Sequence, residues 1–116
     1  MENKSATWQE RFSLTTCSAQ EIDPAIPPTA LGVAVIYAQA AAGEKIFLVI
    51  ESRTGGLRSQ CVKRLKTAKL PPDTSLMVAF KGEILSDASP GAVHAACRQQ
   101  VMLAGVLRRE LRPAMR

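Results

Sequence analysis

The sequence LGVAVIYAQAAAGEKIFLVIES (residues 31–52) contains two apolar runs separated by a short segment with Gly43. The runs are rich in residues that favour extended strands, and glycine supplies the backbone freedom that a tight turn requires. The pattern predicts two strands, over residues 31–38 and 45–52, joined as an antiparallel β-hairpin. Regular alternation in the second strand divides its side chains between two faces. One face then carries Ile46, Leu48 and Ile50, and the other carries Phe47, Val49 and Glu51.

A helix is predicted directly after this hairpin, over residues 57–69. The glycines of RTGG (53–56) end the second strand, and LRSQCVKRLKTAK follows with apolar side chains at helical spacing. Those positions are Leu57, Cys61, Leu65 and Ala68. The segment LPPD (70–73) ends the helix, because proline lacks the N–H group that a helix needs. SLMVAFKG (75–82) predicts a third strand, which the helical connection allows to run parallel to the second.

A long final helix is predicted to begin at SPG, with Ser89 as its N-cap and Pro90 at its first position. Its helical spacing continues to a stop before Pro113. Residues 1–29 are expected to be partly irregular, because three prolines (Pro24, Pro27 and Pro28) exclude helix and central strand there. Only a short helix or strand is expected within residues 7–17. The predicted fold is an α+β domain over residues 30–113, a small two-layer α/β sandwich of order (α)-β-β-α-β-α.

The charge of the chain favours an acidic partner. Fifteen Lys and Arg face ten Asp and Glu, a net charge of +5, and nucleic acid is the usual acidic partner of a basic protein. The three cysteines (Cys17, Cys61 and Cys97) form no CxxC pair, and the chain has a single histidine. This pattern predicts reduced cysteines, with neither a disulfide framework nor a structural zinc site.

A cytoplasmic protein without membrane association is expected. Residues 1–29 carry charges throughout and contain no apolar stretch of the kind that a secretory signal has. The longest apolar run, residues 30–42, is too short to span a bilayer and is interrupted by Gln39.

Residues for protein-based catalysis are not evident in this sequence. His94 and Cys97 are three residues apart on the final helix, but a nucleophile and base need a third group to orient them. The acidic residues are scattered singly, and the GxxxxGK[ST] phosphate-binding pattern is absent. We therefore predict no catalytic residue, no metal ligand and no cofactor bound by the protein.

The segment RTGGLRSQCVKRLKTAK (53–69) contains six basic side chains and no carboxylate. Such a segment is either a solvated basic helix face or a surface that binds a polyanion, whose phosphates would make its affinity strongly salt-dependent. An interleaved glutamine adds neutral hydrogen-bond donors for phosphates or base edges. The candidate RNA-binding residues are Arg53, Arg58, Gln60, Lys63, Arg64, Lys66 and Lys69.

The succession FLVIESRTGG, LRSQCVKRL and LPPDTSLMVAFKG resembles the protein subunit of bacterial ribonuclease P, over about residues 31 to 112. That family has a strand of the form LVVSKK.G, an Arg-rich helix with an RNRxKR core, an LPPG linker, another strand and a final helix. Lys63 and Arg64 match the end of the RNRxKR core, and Arg53 matches one of the basic residues after the strand. Ser59, Gln60 and Cys61 depart from the core.

The resemblance implies a fold like that of ribosomal protein S5 domain 2, with a left-handed βαβ crossover through the basic helix. It implies that the helix binds the catalytic RNA, and that a cleft on the sheet binds the 5′ leader of precursor tRNA. The RNA would perform the hydrolysis with magnesium. Phe12 and Tyr37 are the candidates to line the leader cleft, where an aromatic face can stack on a base. Packing at the end of a strand is the alternative role for Tyr37.

Two other classes of function are consistent with parts of the sequence. The hairpin and basic helix resemble the layout of a GIY-YIG nuclease, but Ala34 and Leu48 replace the tyrosines of that family and Ile50 replaces its glycine. A non-catalytic nucleic-acid-binding protein or adaptor is the second class. In an adaptor the final helix would contact a protein partner or a second copy through its apolar stripe, which includes Val101, Met102 and Leu107.

Overall fold

The computed structural model describes residues 7–40, 43–52, 56–68, 70, 76–86 and 89–114. Over this part of the chain the protein is a small mixed α/β domain built on a four-stranded antiparallel sheet. The strands are β1 Thr15–Ser18, β2 Leu31–Ala40, β3 Gly43–Glu51 and β4 Leu76–Glu83. The helices are α1 Trp8–Arg11, α2 Ile22–Ala25, α3 Leu57–Thr67 and α4 Pro90–Leu111, and a 3₁₀ turn, Ala19–Glu21, precedes α2.

The strands lie in the order β1-β4-β2-β3, and every neighbouring pair is antiparallel. The predicted hairpin is therefore present as β2 and β3. Strands β3 and β4, which α3 connects, run in the same direction, as the helical connection allowed. They are not hydrogen-bonded neighbours, because β2 lies between them.

Strand β2 is buried on both faces, and this explains its continuous apolar sequence. Three of its side chains join α2 and α3 in one core: Ala34, Ile36 and Ala38. Three others join α1 and α4 in a second core on the opposite face: Val33, Val35 and Tyr37. We call these the α3 face and the α4 face of the sheet. Helices cover both faces, so the predicted two-layer sandwich is wrong, and the domain has three layers.

A β-bulge in β3 overturns the predicted alternation of that strand. Leu48 lies opposite Ile36 and Ile46 lies opposite Tyr37, so that Phe47 is an extra residue without a partner on β2. Phe47 consequently joins Leu48 in the core of the α3 face, whereas Ile46 packs on the α4 face. A bulge depends on the pairing of two strands, and the local alternation of one strand does not reveal it.

The helix limits agree closely with the predictions. Helix α3 covers residues 57–67 of the predicted 57–69. Helix α4 begins after Ser89, whose hydroxyl accepts a hydrogen bond from the Ala92 N–H at 3.3 Å, and ends at Leu111, before Pro113. The predicted RTGG turn and LPPD linker lie mostly outside the described residues.

The segment before β2 is more ordered than its prolines indicated. Strand β1 pairs with β4, and Ile22 and Ile26 are buried in the core of the α3 face. Pro24 lies within the four-residue helix α2, so the prediction that prolines exclude a helix there is wrong. A proline in the first turn is tolerated because the N–H groups of that turn have no partner inside the helix.

Helix α1 is attached to the β2–β3 hairpin by one carboxylate. Glu44 accepts hydrogen bonds from Trp8 Nε1 at 2.6 Å and from Gln9 Nε2 at 3.1 Å. The Trp8 ring also meets the Tyr37 ring edge-on, with 5.1 Å between the ring centres. Glu44 therefore holds a helix of only four residues that is too short to be stable alone.

Replacing Glu44 with alanine should release α1 from the hairpin. Trp8 is the only tryptophan of the chain, so its fluorescence emission should shift to longer wavelength as its ring becomes more hydrated. The free energy of unfolding should fall by about 1 kcal/mol, because two donors lose a charged acceptor at a solvent-exposed site. Glu83→Ala, which removes an exposed carboxylate elsewhere, is the control. Identical emission spectra for both variants and the wild type would contradict this arrangement.

Candidate nucleic-acid interface

Helix α3 carries most of the predicted RNA-binding residues, and its buried side determines which way they point. Leu57 and Cys61 are fully buried in the core of the α3 face. The N-cap of the helix is Gly56, with a φ of 87°, a left-handed conformation that glycine adopts without steric cost. The helix is therefore anchored along one stripe, and its opposite side is directed to solvent.

The exposed side chains of α3 form what we call the outer face: Ser59, Lys63, Lys66 and Thr67. Lys63 and Lys66 are three residues apart and thus neighbours on the helix surface. No carboxylate is present in the helix, LRSQCVKRLKT. Two adjacent ammonium groups without an acidic neighbour on their own helix are suited to binding a polyanion.

Arg58 does not add to the charge of this lysine pair, because its guanidinium is paired with a carboxylate. Its Nε lies 3.2 Å from Oδ1 of Asp23, and its Nη2 donates to the Asp23 carbonyl oxygen at 2.8 Å. The Nε group is buried and has no well-oriented hydrogen bond, so its contact with the carboxylate is electrostatic. Residues 53–69 contain no carboxylate, but Asp23 from outside this segment neutralises Arg58, and the contact joins α3 to α2.

A shallow groove of about 600 Å³ lies beside the outer face, between α3 and the segment around α2. Arg58, Lys63 and Lys66 supply its positive charge, and Asp23 its negative charge. Pro28 and Val62 are apolar parts of the lining. The groove thus combines two lysines that have no ion pair with any described residue and the Arg58–Asp23 ion pair, which fixes its wall.

The remaining basic-segment candidates are not all on this surface. Gln60 and Arg64 are half-buried and lie on the other flank of α3. Arg53 and Lys69 lie outside the described residues. Of the seven predicted RNA-binding residues, the structure thus brings Lys63 and Lys66 together on the outer face, with Arg58 at the groove beside them.

The two aromatic candidates lie on the α4 face, across the sheet from Lys63 and Lys66. Tyr37 is 2% exposed and Trp8 packs against its ring, so it presents no open face to a base. Burial raises the pKa of the Tyr37 phenol, against a smaller opposing effect of its hydrogen bond with Gln9. Phe12 is half-buried, and the Arg11 guanidinium lies 5.5 Å from its ring centre. The structure therefore gives Tyr37 the packing role and places both residues apart from the basic surface.

Titratable groups in the described part of the chain form no cluster of three or more that could hold a metal ion. His94 is exposed, and no hydrogen bond joins it to Cys97 among the described residues. Burial, with a smaller contribution from Cys17, raises the pKa of the Cys61 thiol from 9.0 to about 12. Cys61 is therefore a protonated core residue at neutral pH rather than a nucleophile.

Because the pKa of Cys61 is higher in the folded state, its protonated thiol contributes stability that is present below pH 9 and lost as pH rises toward 12. A Cys61→Val variant has no such titration. Above pH 9, the unfolding free energy of the variant minus that of the wild type should grow by about 1 kcal/mol per pH unit. Urea denaturation between pH 8 and 11 measures this difference, in which other titrating groups cancel. A difference that stays constant over this range would contradict the burial of Cys61.

Helix α4 is attached to β3 and leaves an apolar patch in solvent. Arg108 donates to the Glu51 carboxylate at 2.9 Å and to the Val49 carbonyl oxygen at 3.0 Å. The exposed large apolar residues of α4 are Val101, Met102 and Val106, at 53%, 72% and 38% exposure. Leu107, also predicted for a partner stripe, is fully buried in the core.

No family model, curated protein or solved structure matches this chain. The likeness to the ribonuclease P protein subunit therefore stays a hypothesis based on the order and spacing of sequence segments. Among the described residues, no helix has the length and apolar character needed to cross a bilayer.

Proposed function

We propose that this chain is an RNA-binding protein that uses the outer face of α3, and that it acts as the protein subunit of bacterial ribonuclease P. In that role it would assist the RNA-catalysed removal of the 5′ leader from precursor tRNA in the cytoplasm. The observation that carries the proposal is the pair of exposed lysines, Lys63 and Lys66, on a helix without a carboxylate.

Electrostatics supports this function more than any chemistry of the side chains. Binding of RNA phosphates by Lys63 and Lys66 releases condensed counterions, which is the main source of affinity in such complexes. The hydroxyl of Ser59 on the same face can donate to phosphate without adding charge. The net charge of +5 attracts the polyanion over a longer range.

The layout of the chain is the second support. A hairpin, a basic helix, an LPPD linker, a strand and a final helix follow one another as in the ribonuclease P protein subunit. The proposal includes a variant of the fold of ribosomal protein S5 domain 2 that has helices on both faces of the sheet. Its left-handed crossover would be formed by α3 between β3 and β4. Magnesium and the hydrolytic step belong to the RNA, and the protein would contact both that RNA and precursor tRNA. A leader cleft formed by Phe12 and Tyr37 is not part of the proposal, because Trp8 packs against the Tyr37 ring and leaves no open face for a base.

Reconstitution tests the proposed function. The purified protein is added to a bacterial ribonuclease P RNA and precursor tRNA at a magnesium concentration too low for the RNA alone. The expected result is restored removal of the 5′ leader by the wild-type protein. No restoration across a range of protein concentrations would reject the assignment to ribonuclease P, while leaving RNA binding to be measured separately.

An adaptor is the second candidate function, and the exposed patch of Val101, Met102 and Val106 favours it. Monomeric proteins usually bury contiguous apolar side chains, and such a patch is typical of a protein–protein contact. Under this alternative a Met102→Glu variant would lose a protein partner or a second copy without any change in RNA affinity. RNA binding that depends on α3 separates the two candidates.

A further inference from the structure

A cavity of about 360 Å³ lies at one end of the sheet on the α4 face, away from the outer face of α3. The ends of β2 and β4 form one wall and α4 forms the other. Its volume is within the range of roughly 300–1,000 Å³ that small-molecule sites occupy. Leu31, Val33 and Leu103 provide apolar lining, and Lys81, Glu83 and Gln100 provide polar lining.

Gln100 in this lining has a side-chain hydrogen-bond donor that no described residue accepts. The residue is 94% buried, because its exposure is 6%. Its Oε1 accepts from the Ser52 hydroxyl at 2.7 Å, and that hydroxyl oxygen accepts from the Gly32 N–H at 2.9 Å. In this arrangement Oε1 is the acceptor end of the amide and Nε2 is its donor end. Its Nε2 is buried and has no hydrogen-bond partner among the residues that the structure describes, so it calls for an acceptor.

Two opposite charges stand at the same cavity. Lys81 and Glu83 are two residues apart on β4 and therefore on the same face of the strand. Both are exposed, and neither forms an ion pair within the part of the chain that the structure describes. The cavity thus combines a cation (Lys81), a neutral hydrogen-bond donor (Gln100) and an anion (Glu83) with an aliphatic wall.

We propose that this cavity binds a free apolar α-amino acid. The carboxylate of the ligand would accept from Gln100 Nε2 and lie near the Lys81 ammonium, while its ammonium group would face Glu83. Its side chain would pack against Leu31 and Leu103, the partly exposed apolar residues of the lining. Because Nε2 is itself buried, the Gln100 amide must rotate slightly to contact the ligand. The hydrogen bond from the Ser52 hydroxyl to Oε1 limits how far it can rotate.

An NMR titration of ¹⁵N-labelled protein with L-leucine tests the proposal. The expected result is a saturable shift of the Gln100 side-chain NH₂ signals and of the Gly32 and Gly82 amide signals. Acetate and isopentylamine, which each carry one half of the recognised chemistry, should bind at least about tenfold more weakly. No saturable shift at these positions, or equal binding of either half-ligand, would overturn the proposal.

Two exposed positions give variants that should still fold. Lys81→Met and Glu83→Gln should each weaken L-leucine binding about tenfold, because each removes a charged partner of the ligand. Lys63→Met, on the other side of the sheet, is the matched control and should bind like the wild type. Unchanged binding by both cavity variants would exclude the cavity as the site, even if L-leucine binds elsewhere.

Discussion

Replacing Gly32 with alanine should destabilise the domain by at least about 3 kcal/mol, the largest stability effect that we expect from a single methyl group. A Cβ at this position would lie 1.8 Å from the Lys81 carbonyl oxygen, 2.7 Å from the Lys81 carbonyl carbon and 2.8 Å from the Gly82 Cα. All three are backbone atoms of β4, so no side chain can move aside. The clash can be relieved only by separating β2 from β4, and that separation would open both cores.

The matched control is the same substitution at Gly105, inside α4. A Cβ there meets nothing within 4 Å, and alanine favours a helix interior over glycine by roughly 0.5–1 kcal/mol. Urea denaturation followed by circular dichroism should therefore place Gly32→Ala far below the wild type and Gly105→Ala slightly above it. Equal midpoints for the Gly32 variant and the wild type would show that β2 and β4 do not approach as described.

Local patterns in the sequence were sufficient to locate the central elements. The Val- and Ile-rich runs with Gly43 between them indicated the hairpin, and helical spacing indicated α3 and α4. The caps were also readable, since Ser89 and Pro90 begin α4. Each of these features depends on residues close in sequence, whose conformational preferences are largely fixed by their own side chains.

Features that depend on distant residues were not predictable. The bulge at Phe47 arises from pairing with β2, and β1 becomes a strand because β4 offers it an edge. The ion pair of Arg58 with Asp23 and the bond of Trp8 to Glu44 each join residues about 35 positions apart. No local sequence pattern indicates contacts between residues that far apart in the chain.

The candidate site was predictable to the same limited extent. Helical spacing correctly directed Lys63 to solvent, because it lies far from the apolar stripe of α3. The sequence is consistent with either stacking on a base or packing for Tyr37, and only the position of α1 over the sheet distinguishes these roles. The unused donor of Gln100 had no sequence signal at all, because a glutamine on a helix is ordinarily a surface residue.

The second large effect that we expect is on RNA affinity. Changing Lys63 and Lys66 together to glutamine should weaken binding of structured RNA about a hundredfold at low salt, because each lysine loses a charge-assisted phosphate contact. Folding should be unaffected, since both side chains are exposed and neither forms an ion pair within the described part of the chain. Circular dichroism and the urea midpoint verify that the variant is folded.

A control variant separates a specific surface from overall charge. Arg98 and Arg109 are exposed on α4, across the sheet from α3, and changing both to glutamine also removes two positive charges. Both double variants therefore lower the net charge from +5 to +3, since 5 − 2 = 3. If only overall charge attracted RNA, the two variants would lose the same affinity. If α3 is the binding surface, the α4 variant should stay within a few-fold of the wild type.

The most direct measurement is the dependence of RNA affinity on salt concentration for these three proteins, with a bacterial ribonuclease P RNA as the ligand. On a logarithmic plot, the slope for the Lys63 and Lys66 double variant should be shallower than that of the wild type by about two, one for each lost phosphate contact. The Arg98 and Arg109 double variant should keep the wild-type slope. Three lines of equal slope and equal affinity would contradict RNA binding by α3.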